Sequence, residues 1–518
     1  MKIKSLPLVL KRYVFDIPIL PVLLAFYLLS INLATAPPLW WDEGWTLMVA
    51  RNVAEGRHYG RLWNGMPVSP NMAAAPTVVL PAAASFRLFG VGGWQGRLPA
   101  LFYTVIALCL LFRVTATLYS QRTAVLVLWL TMLTPTVPDL HPLVMGKQVL
   151  AEVPALVFLL AGYIGIFHVE NQRRHSTLIT VGLLWGMALI SKQQAVPFLI
   201  LSTLIVCAFL SYHRKYRRVI IYGFPVLIAA GIFLAWRWIV SSLLTPPNDP
   251  ISGTRGLIWV TALIFSPNAR GATLVSTLLF AIPIPITLAY TARHHLDSSA
   301  VGIRRLALWT LTAGWFGWFI ALSAGAGRYL FPVSFINLIF LGSLIDEVAG
   351  NISSIRSLWT HYRLRFFFRL KPVQRMAAYL LLLSVPLSVI SLVTTLARPD
   401  RSPLQMAAYV QNSLPRDSLI ETYDAEIMFQ IPQKYHYPPD QIHVDLIRLT
   451  FLDDSSVEIE YDPLSTDPDY LINGPFPKMW GLYPTSWLNT HFRLEISFGP
   501  YDLWRRKTVD PPSPISLP

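Results

Sequence analysis

The chain has 518 residues, of which 54% are hydrophobic and 14% charged. Soluble globular domains carry about 25% charged residues, so the composition excludes an ordinary soluble protein and reads as a polytopic membrane protein. The net charge of +14 does not mark a nucleic-acid binder. From Arg398 onward there are 10 Lys+Arg against 17 Asp+Glu, so the basic excess lies upstream, among the apolar runs, where Lys and Arg set topology.

The N-terminus, MKIKSLPLVLKRYVF, is basic and precedes an apolar run from Ile17 to Ala34. Ala34-Thr35-Ala36 imitates a signal-peptidase site, but the long basic region favours an uncleaved anchor. Further runs long enough to span a bilayer, about 20 residues each, start near Leu98, Ala124, Val149, Thr177, Pro197, Val219, Thr273, Leu306, Tyr329 and Met376. This predicts about eleven transmembrane helices. The stretch from Thr177 to Leu210 is too long for one span, and Ser191-Lys192-Gln193-Gln194 divides it into two.

The loop over residues 36–96 is longer than a simple connection. TLMVARNVAEG and TVVLPAAASFRLFG predict short helices lying along the interface, apolar on one side. Gly90, Gly92, Gly93 and Gly96 lack phosphate-loop spacing and read as the turn into the second span. Counting Lys and Arg in short loops, the N-terminus, Arg122, Arg173-Arg174, the HRKYRR run, Arg293 with Arg304-Arg305, and the stretch from Arg356 to Arg375 fall on alternate sides of successive spans. They are expected on one face, the cytoplasm. The loop holding Asp42 and the tail after Ala397 then lie outside.

After Ala397 the chain becomes charged and proline-rich. SPLQMAAYVQNSLP predicts a helix and SLIETY, DYLING and FRLEISFGPYDLW short strands, a small α/β domain over 397–518 attached to a membrane domain over 1–396. The final PPSPISLP reads as disordered. Cys109 and Cys207 lie inside apolar runs, which gives no disulfide framework.

Charged residues that topology does not account for collect on the predicted outer face: Asp42, Glu43, Arg97, Lys147, Glu152, Lys192 and Arg328. Carboxylates facing several cations are the inventory for deprotonating a hydroxyl while stabilising an anionic leaving group such as phosphate. Asp42 and Glu43 are adjacent, so on a helix their side chains diverge by about 100°; one is expected to face the reaction while the other caps or pairs. Lys147, Lys192 and Arg328, taken singly, could snorkel to headgroups, and Arg97 could anchor its span at the interface. The D-x-D pair Asp467 and Asp469 sits in a turn-rich context and is read as no metal site. His294-His295 lack spaced partners, and His436 and His443 are read as solvated loop residues. P-loop, zinc-ligand and nucleophile-elbow spacings are lacking.

Asp42-Glu43, Leu88-Phe89-Gly90 followed by GRLPALF, GKQVLAEVPALVF from Gly146, GLLWGMALISKQQAVPFL, and GRYLFPVSF from Gly327 make the chain similar, as an ordered set, to the GT-C membrane glycosyltransferases of the protein O-mannosyltransferase-like superfamily. That superfamily includes the bacterial aminoarabinose transferases of lipid A. The resemblance implies a GT-C fold and inverting transfer of a sugar from a polyprenyl-phosphate donor on the outer face of a bacterial inner membrane. By matching position, Asp42 would be the general base and Glu152 a second acid. Lys147, Lys192 and Arg328, with Arg97, would be candidates for the donor phosphate. No nucleotide is implied; a divalent cation is left open, since Lys and Arg could replace it, and the acceptor could be glycan, lipid or protein. Gly44-Trp45 depart from the Arg and Tyr that aminoarabinose-type sequences carry there. The competing readings are an O-antigen polymerase or ligase, expected to use Arg and His of late outer loops, and a lipid-linked glycan transporter, expected to hold its charges near the bilayer midplane.

Overall fold

The structure is a computed structural model that describes residues 18–70, 75–172, 176–251, 254–350 and 372–507. The basic N-terminus, Arg173-Arg174, most of the 356–375 stretch and PPSPISLP lie outside the described residues. The membrane-type helices are α1 (Ile19–Ser30), α2 (Trp41–Ala54), α3 (Pro76–Phe89), α4 (Gly93–Leu118), α5 (Gln121–Leu133), α6 (Glu152–Gln172), α7 (Thr177–Ser191), α8 (Ala195–Tyr212), α9 (Tyr216–Ile239), α10 (Pro267–Phe280), α11 (Pro283–His294), α12 (Ala300–Leu322), α13 (Phe331–Gly350) and α14 (Pro372–Ala397). Among the described residues six helices are long and apolar enough to cross a membrane, or seven if the α10–α11 pair, bent by 77°, is one span. The eleven predicted runs all hold helices, but α1, α5 and α7 are shorter than a full span, and α12, though 23 residues long, is not among the helices apolar enough to count.

The predicted break after Ser191 is present, with α7 ending there and α8 beginning at Ala195. α7 packs tightly on α9 because Gly182 and Gly186, one turn apart, leave no side chain in the seam; a Cβ at either would stand 2.6 Å from Ile228 or Ile232. This is the small-xxx-small contact that lets membrane helices approach closely. The polar ends of α4, α5, α6, α11, α12 and α13 meet at one end of the bundle. There Arg122 pairs with Asp346 (3.0 Å), Arg304 with Glu170 (2.8 Å) and His295 with Glu347 (2.9 Å), while Arg305 donates to the Leu118 carbonyl (2.6 Å). Of the basic stretches counted in the sequence, Arg122 and Arg304-Arg305 thus lie at one charged end of the described residues.

The opposite end carries the long loop and the C-terminal domain. Besides α2 and α3, the loop forms a hairpin, β1 (Arg61–Trp63) and β2 (Met66–Val68), turned by Asn64-Gly65, both at positive φ. Asn-Gly is the sequence signal of such a turn. α2 departs from expectation: it is not apolar on one side only. Trp41, Glu43–Ala50 and Asn52 are all buried, because membrane helices cover one side and the C-terminal domain the other.

That domain contains α15 (Ser402–Ser413), β3 (Leu419–Thr422), β4 (Lys434–His436), α16 (Asp440–Phe451), β5 (Tyr470–Asn473), β6 (Phe492–Phe498) and β7 (Tyr501–Arg506). The strands form one sheet in the order β4-β3-β5-β7-β6, with β4, β3 and β5 parallel and β7 antiparallel to both neighbours. Its apolar face shares one core with α2 and α3: Trp45, Leu47, Val79 and Phe86 pack with Tyr423, Met428, Phe429 and Tyr437. Arg51 donates to the carbonyls of Phe429 (3.1 Å) and Ile431 (2.6 Å), and Arg61 makes two hydrogen bonds to Asp440 (2.8 and 2.7 Å). The histidines differ from their sequence reading. His436 is buried in β4, 2.6 Å from Glu421, which also accepts from Tyr461 (2.5 Å) and Tyr483 (2.6 Å). His443 lies on α16 against Trp41. Sequence alone placed His436 in a loop because β4 is three residues long and carries no alternation to reveal it; His443 belongs to a 12-residue helix that the sequence reading did not identify.

Candidate active site

α2 begins at Trp41 from an extended Trp40, so Asp42 and Glu43 occupy its first turn, where carboxylates are favoured by the helix dipole. The two side chains take different partners. Glu43 is fully buried and receives Nε (2.8 Å) and Nη2 (2.5 Å) of Arg97, near the start of α4, and the amide of Val149 (2.9 Å). Arg97, itself 0% exposed, spends its remaining donors on the carbonyls of Leu33, Pro37 and Pro38, at 3.1, 2.7 and 3.0 Å. All five guanidinium donors are satisfied within the protein. Lys147 is buried beside this pair and donates to the carbonyls of Ile31 and Ala36; burial, with Arg97 nearby, lowers its pKa to about 7. Glu43, Arg97 and Lys147 thus fasten the segment between α1 and α2, and in this arrangement neither cation is presented to a donor phosphate.

Asp42 turns the other way and pairs with Arg328, from the short helix Gly327–Leu330 that leads into α13. The Arg328 guanidinium lies over the rings of Trp40 (5.1 Å) and Tyr329 (5.3 Å), a setting that suits its planar, weakly hydrated cation. Glu152, at the first turn of α6, accepts from Lys192 at the end of α7 (2.6 Å). The Lys192 ammonium stands 5.6 Å from the centre of the same Tyr329 ring. Tyr329 therefore joins two carboxylate–cation pairs brought together from four separate parts of the chain. Asp42, Arg328 and Lys192 each keep some exposure, between 15 and 26% of the side chain, so both cations are reachable from outside. A phosphate diester at this position could take charge-assisted hydrogen bonds from Arg328 and Lys192 while Asp42 accepts a proton from a neighbouring hydroxyl.

Of the seven residues singled out by sequence, four form this cluster around Tyr329, all but Glu152 partly exposed, and three the buried tie behind it. Trp40 and Tyr329 were missed as participants, although each adjoins a residue that was named. His443, from the C-terminal domain, was missed too. Burial, with Arg328 nearby and against the pull of Asp440, lowers its pKa to about 4, so it is neutral at physiological pH. Among the described residues no group of three or more His, Cys, Asp or Glu side chains is placed to hold a metal ion. Asp469 instead accepts the Leu419 amide (2.8 Å).

The architecture matches solved structures over nearly the whole chain. ArnT from Cupriavidus metallidurans bound to undecaprenyl phosphate superposes with a TM-score of 0.58 at 13% identity, covering 95% of this chain and 98% of that one. The same protein in the apo state gives 0.56 at 14%, covering 94% and 97%. The Archaeoglobus fulgidus oligosaccharyltransferase in the apo form gives 0.52 at 11%, covering 95% and 75%. The fold is that of the GT-C superfamily of membrane glycosyltransferases. Within it, residues 73–238 match the family model of dolichyl-phosphate-mannose-protein mannosyltransferases, the segment that runs from α3 to the end of α9 and includes Arg97, Lys147, Glu152 and Lys192. No curated protein matches the chain by sequence.

Proposed function

We propose that the protein is a multi-pass membrane glycosyltransferase that moves a sugar from a polyprenyl-phosphate donor to an acceptor hydroxyl, with inversion, at the outer face of a bacterial inner membrane. In this reading all eleven apolar runs cross or enter the membrane, the N-terminus is cytoplasmic and the C-terminal domain extracytoplasmic. The observation that carries the proposal is the double pair around Tyr329, Asp42 with Arg328 and Glu152 with Lys192. The likeness in fold to a protein solved with undecaprenyl phosphate supports the choice of donor lipid.

The chemistry follows from the charges. The acceptor oxygen attacks the anomeric carbon, its proton passes to a carboxylate oxygen of Asp42, and the bond from that carbon to the phosphate oxygen breaks. The departing polyprenyl phosphate gains a negative charge, which Arg328 and Lys192 offset. Each carboxylate keeps its cation at the site until phosphate competes for it, and Glu152 sets where Lys192 rests. A positioned base is worth about 10²–10⁴ in rate.

The test is a mass spectrum of lipids that co-purify with Asp42→Asn compared with wild type. Accumulation of a polyprenyl-phosphate monosaccharide on the variant is expected, and its mass gives the sugar class. Ordinary phospholipids on both proteins, in variant cells that keep their glycans, would remove Asp42 from the role of base. A diphosphate-linked oligosaccharide would favour a polymerase.

A further inference from the structure

In the outer domain the chain leaves β3 to form β4 on one side and returns to form β5 on the other, so the order reverses about β3. In open α/β sheets the crevice beyond the carboxyl ends of the strands, at such a reversal, is where ligands are held. Here the crevice is filled by the protein's own α2. Trp41 stacks on Phe476, three residues past β5, with ring centres 4.2 Å apart and planes within 9°. It meets Tyr423, directly after β3, edge-on at 5.6 Å, and His443 of α16 at 4.7 Å. Trp45, one turn on, meets Tyr423 at 6.4 Å and Tyr437, directly after β4, at 4.8 Å.

The grip is rigid at its base. Asp424 accepts from the amides of Gly474 (2.7 Å) and Phe476 (3.2 Å), tying the loops after β3 and β5 together. Between the two tryptophans, Gly44 lies so close to the backbone of Ala425 and Glu426 that a Cβ would stand 2.1 Å from the Ala425 carbonyl carbon. The N-cap of α2, Trp40, offers no side-chain hydrogen bond, so its first turn is held by its buried side chains, Glu43 by Arg97 and the Val149 amide on one side and Trp41 by this crevice on the other. That turn carries Asp42.

We propose that the switch-point crevice of the outer domain is a clamp on Trp41 and Trp45 that fixes the Asp42 carboxylate against Arg328, with Phe476 as its principal positioning residue. The proposal rests on the reading of Asp42 as base. A misplacement of about 1 Å can cost about 10²-fold in rate, so the clamp acts on turnover while leaving Arg328 and Lys192 in place.

The experiment uses the full-length protein in native membranes for turnover, with donor lipid recovered from Asp42→Asn protein, and in detergent for undecaprenyl phosphate binding by native mass spectrometry. Phe476→Ala is expected to lower kcat 10- to 100-fold with KM for donor and undecaprenyl phosphate affinity unchanged, Phe476→Tyr to restore it, and Phe476→Ala in the D42N background to cost nothing further. Equal loss in both backgrounds, loss of phosphate-lipid binding, or wild-type kcat would overturn the clamp. If wild type itself binds no undecaprenyl phosphate, it is the glycosyltransferase reading that fails. The clamp is then decided by amide hydrogen exchange over 41–48, which should quicken in Phe476→Ala while α4 is unaffected; unchanged exchange there would end it.

Discussion

Glu43 and Arg97 share two hydrogen bonds, of 2.8 and 2.5 Å, at a place where neither side chain is exposed to solvent. Removing one member of such a pair strands the other as a buried charge, at a cost of about 3–5 kcal/mol. Glu43→Gln and Arg97→Met should therefore lower the unfolding midpoint of the purified protein clearly, whereas Asp42→Asn should not. Arg97→Lys should fail to rescue, since one ammonium cannot reach Glu43 and three carbonyls together. A thermal melt in detergent decides the matter; wild-type midpoints would show that the pair is not a structural tie.

The pairs around Tyr329 should behave differently. Arg328→Ala and Lys192→Met are expected to weaken undecaprenyl phosphate binding at least about tenfold each, the loss of about 1.4 kcal/mol; Arg328→Ala should change stability little, whereas Lys192→Met also lowers the melting midpoint, because it leaves the buried Glu152 carboxylate unpaired. Arg328→Lys should recover only part, because the guanidinium also lies over Trp40 and Tyr329. Titration of the phospholipid-depleted protein with undecaprenyl phosphate measures both, and affinities equal to wild type would remove these cations from the phosphate site.

Gly44 is required for close approach, not for an unusual backbone angle. Gly44→Ala should force the outer domain off α2, since the atoms it meets belong to the backbone of Ala425 and Glu426. Limited proteolysis is expected to release fragments of residues 397–507 from the variant under conditions in which the wild type is resistant. Equal resistance would show that the docking tolerates a methyl group.

Docking should also respond to pH through Glu426. Burial, with Glu43 adding like charge and Tyr501 opposing, raises its pKa from 4.5 to about 7. Because the folded value lies above the unfolded one, the folded form keeps the proton after the unfolded chain has lost it. Stability is fully present below pH 4.5 and declines as pH rises towards 7. Glu426→Gln should flatten that part of the stability profile. A slope unchanged in the variant would assign it to another group.

Much of the membrane part was legible because its signals are local. Apolar run length located the helices except that one run, near Thr273, proved to be the bent pair α10–α11, and Ser191 to Gln194 announced the break between α7 and α8. The candidate site was legible as an inventory: Asp42, Glu43, Arg97, Lys147, Glu152, Lys192 and Arg328 stood out because charge near a bilayer is costly. Their division into a cluster around Tyr329 and a buried tie was not legible. Adjacent residues such as Asp42 and Glu43 have the same local chemistry and differ only in what faces them.

What the sequence determined by itself is what hydropathy and charge encode along the chain: the apolar runs that hold the helices, the change of composition after Ala397, and the set of charged residues left over. What only the tertiary structure decided is which of those residues meet. The pairing of Asp42 with Arg328, 286 positions apart in the chain, and the burial of Trp41 and Trp45 in the crevice of a sheet more than 370 positions downstream are long-range contacts. Contacts of that kind depend on how helices and strands pack, and packing leaves no period in the sequence from which to read it.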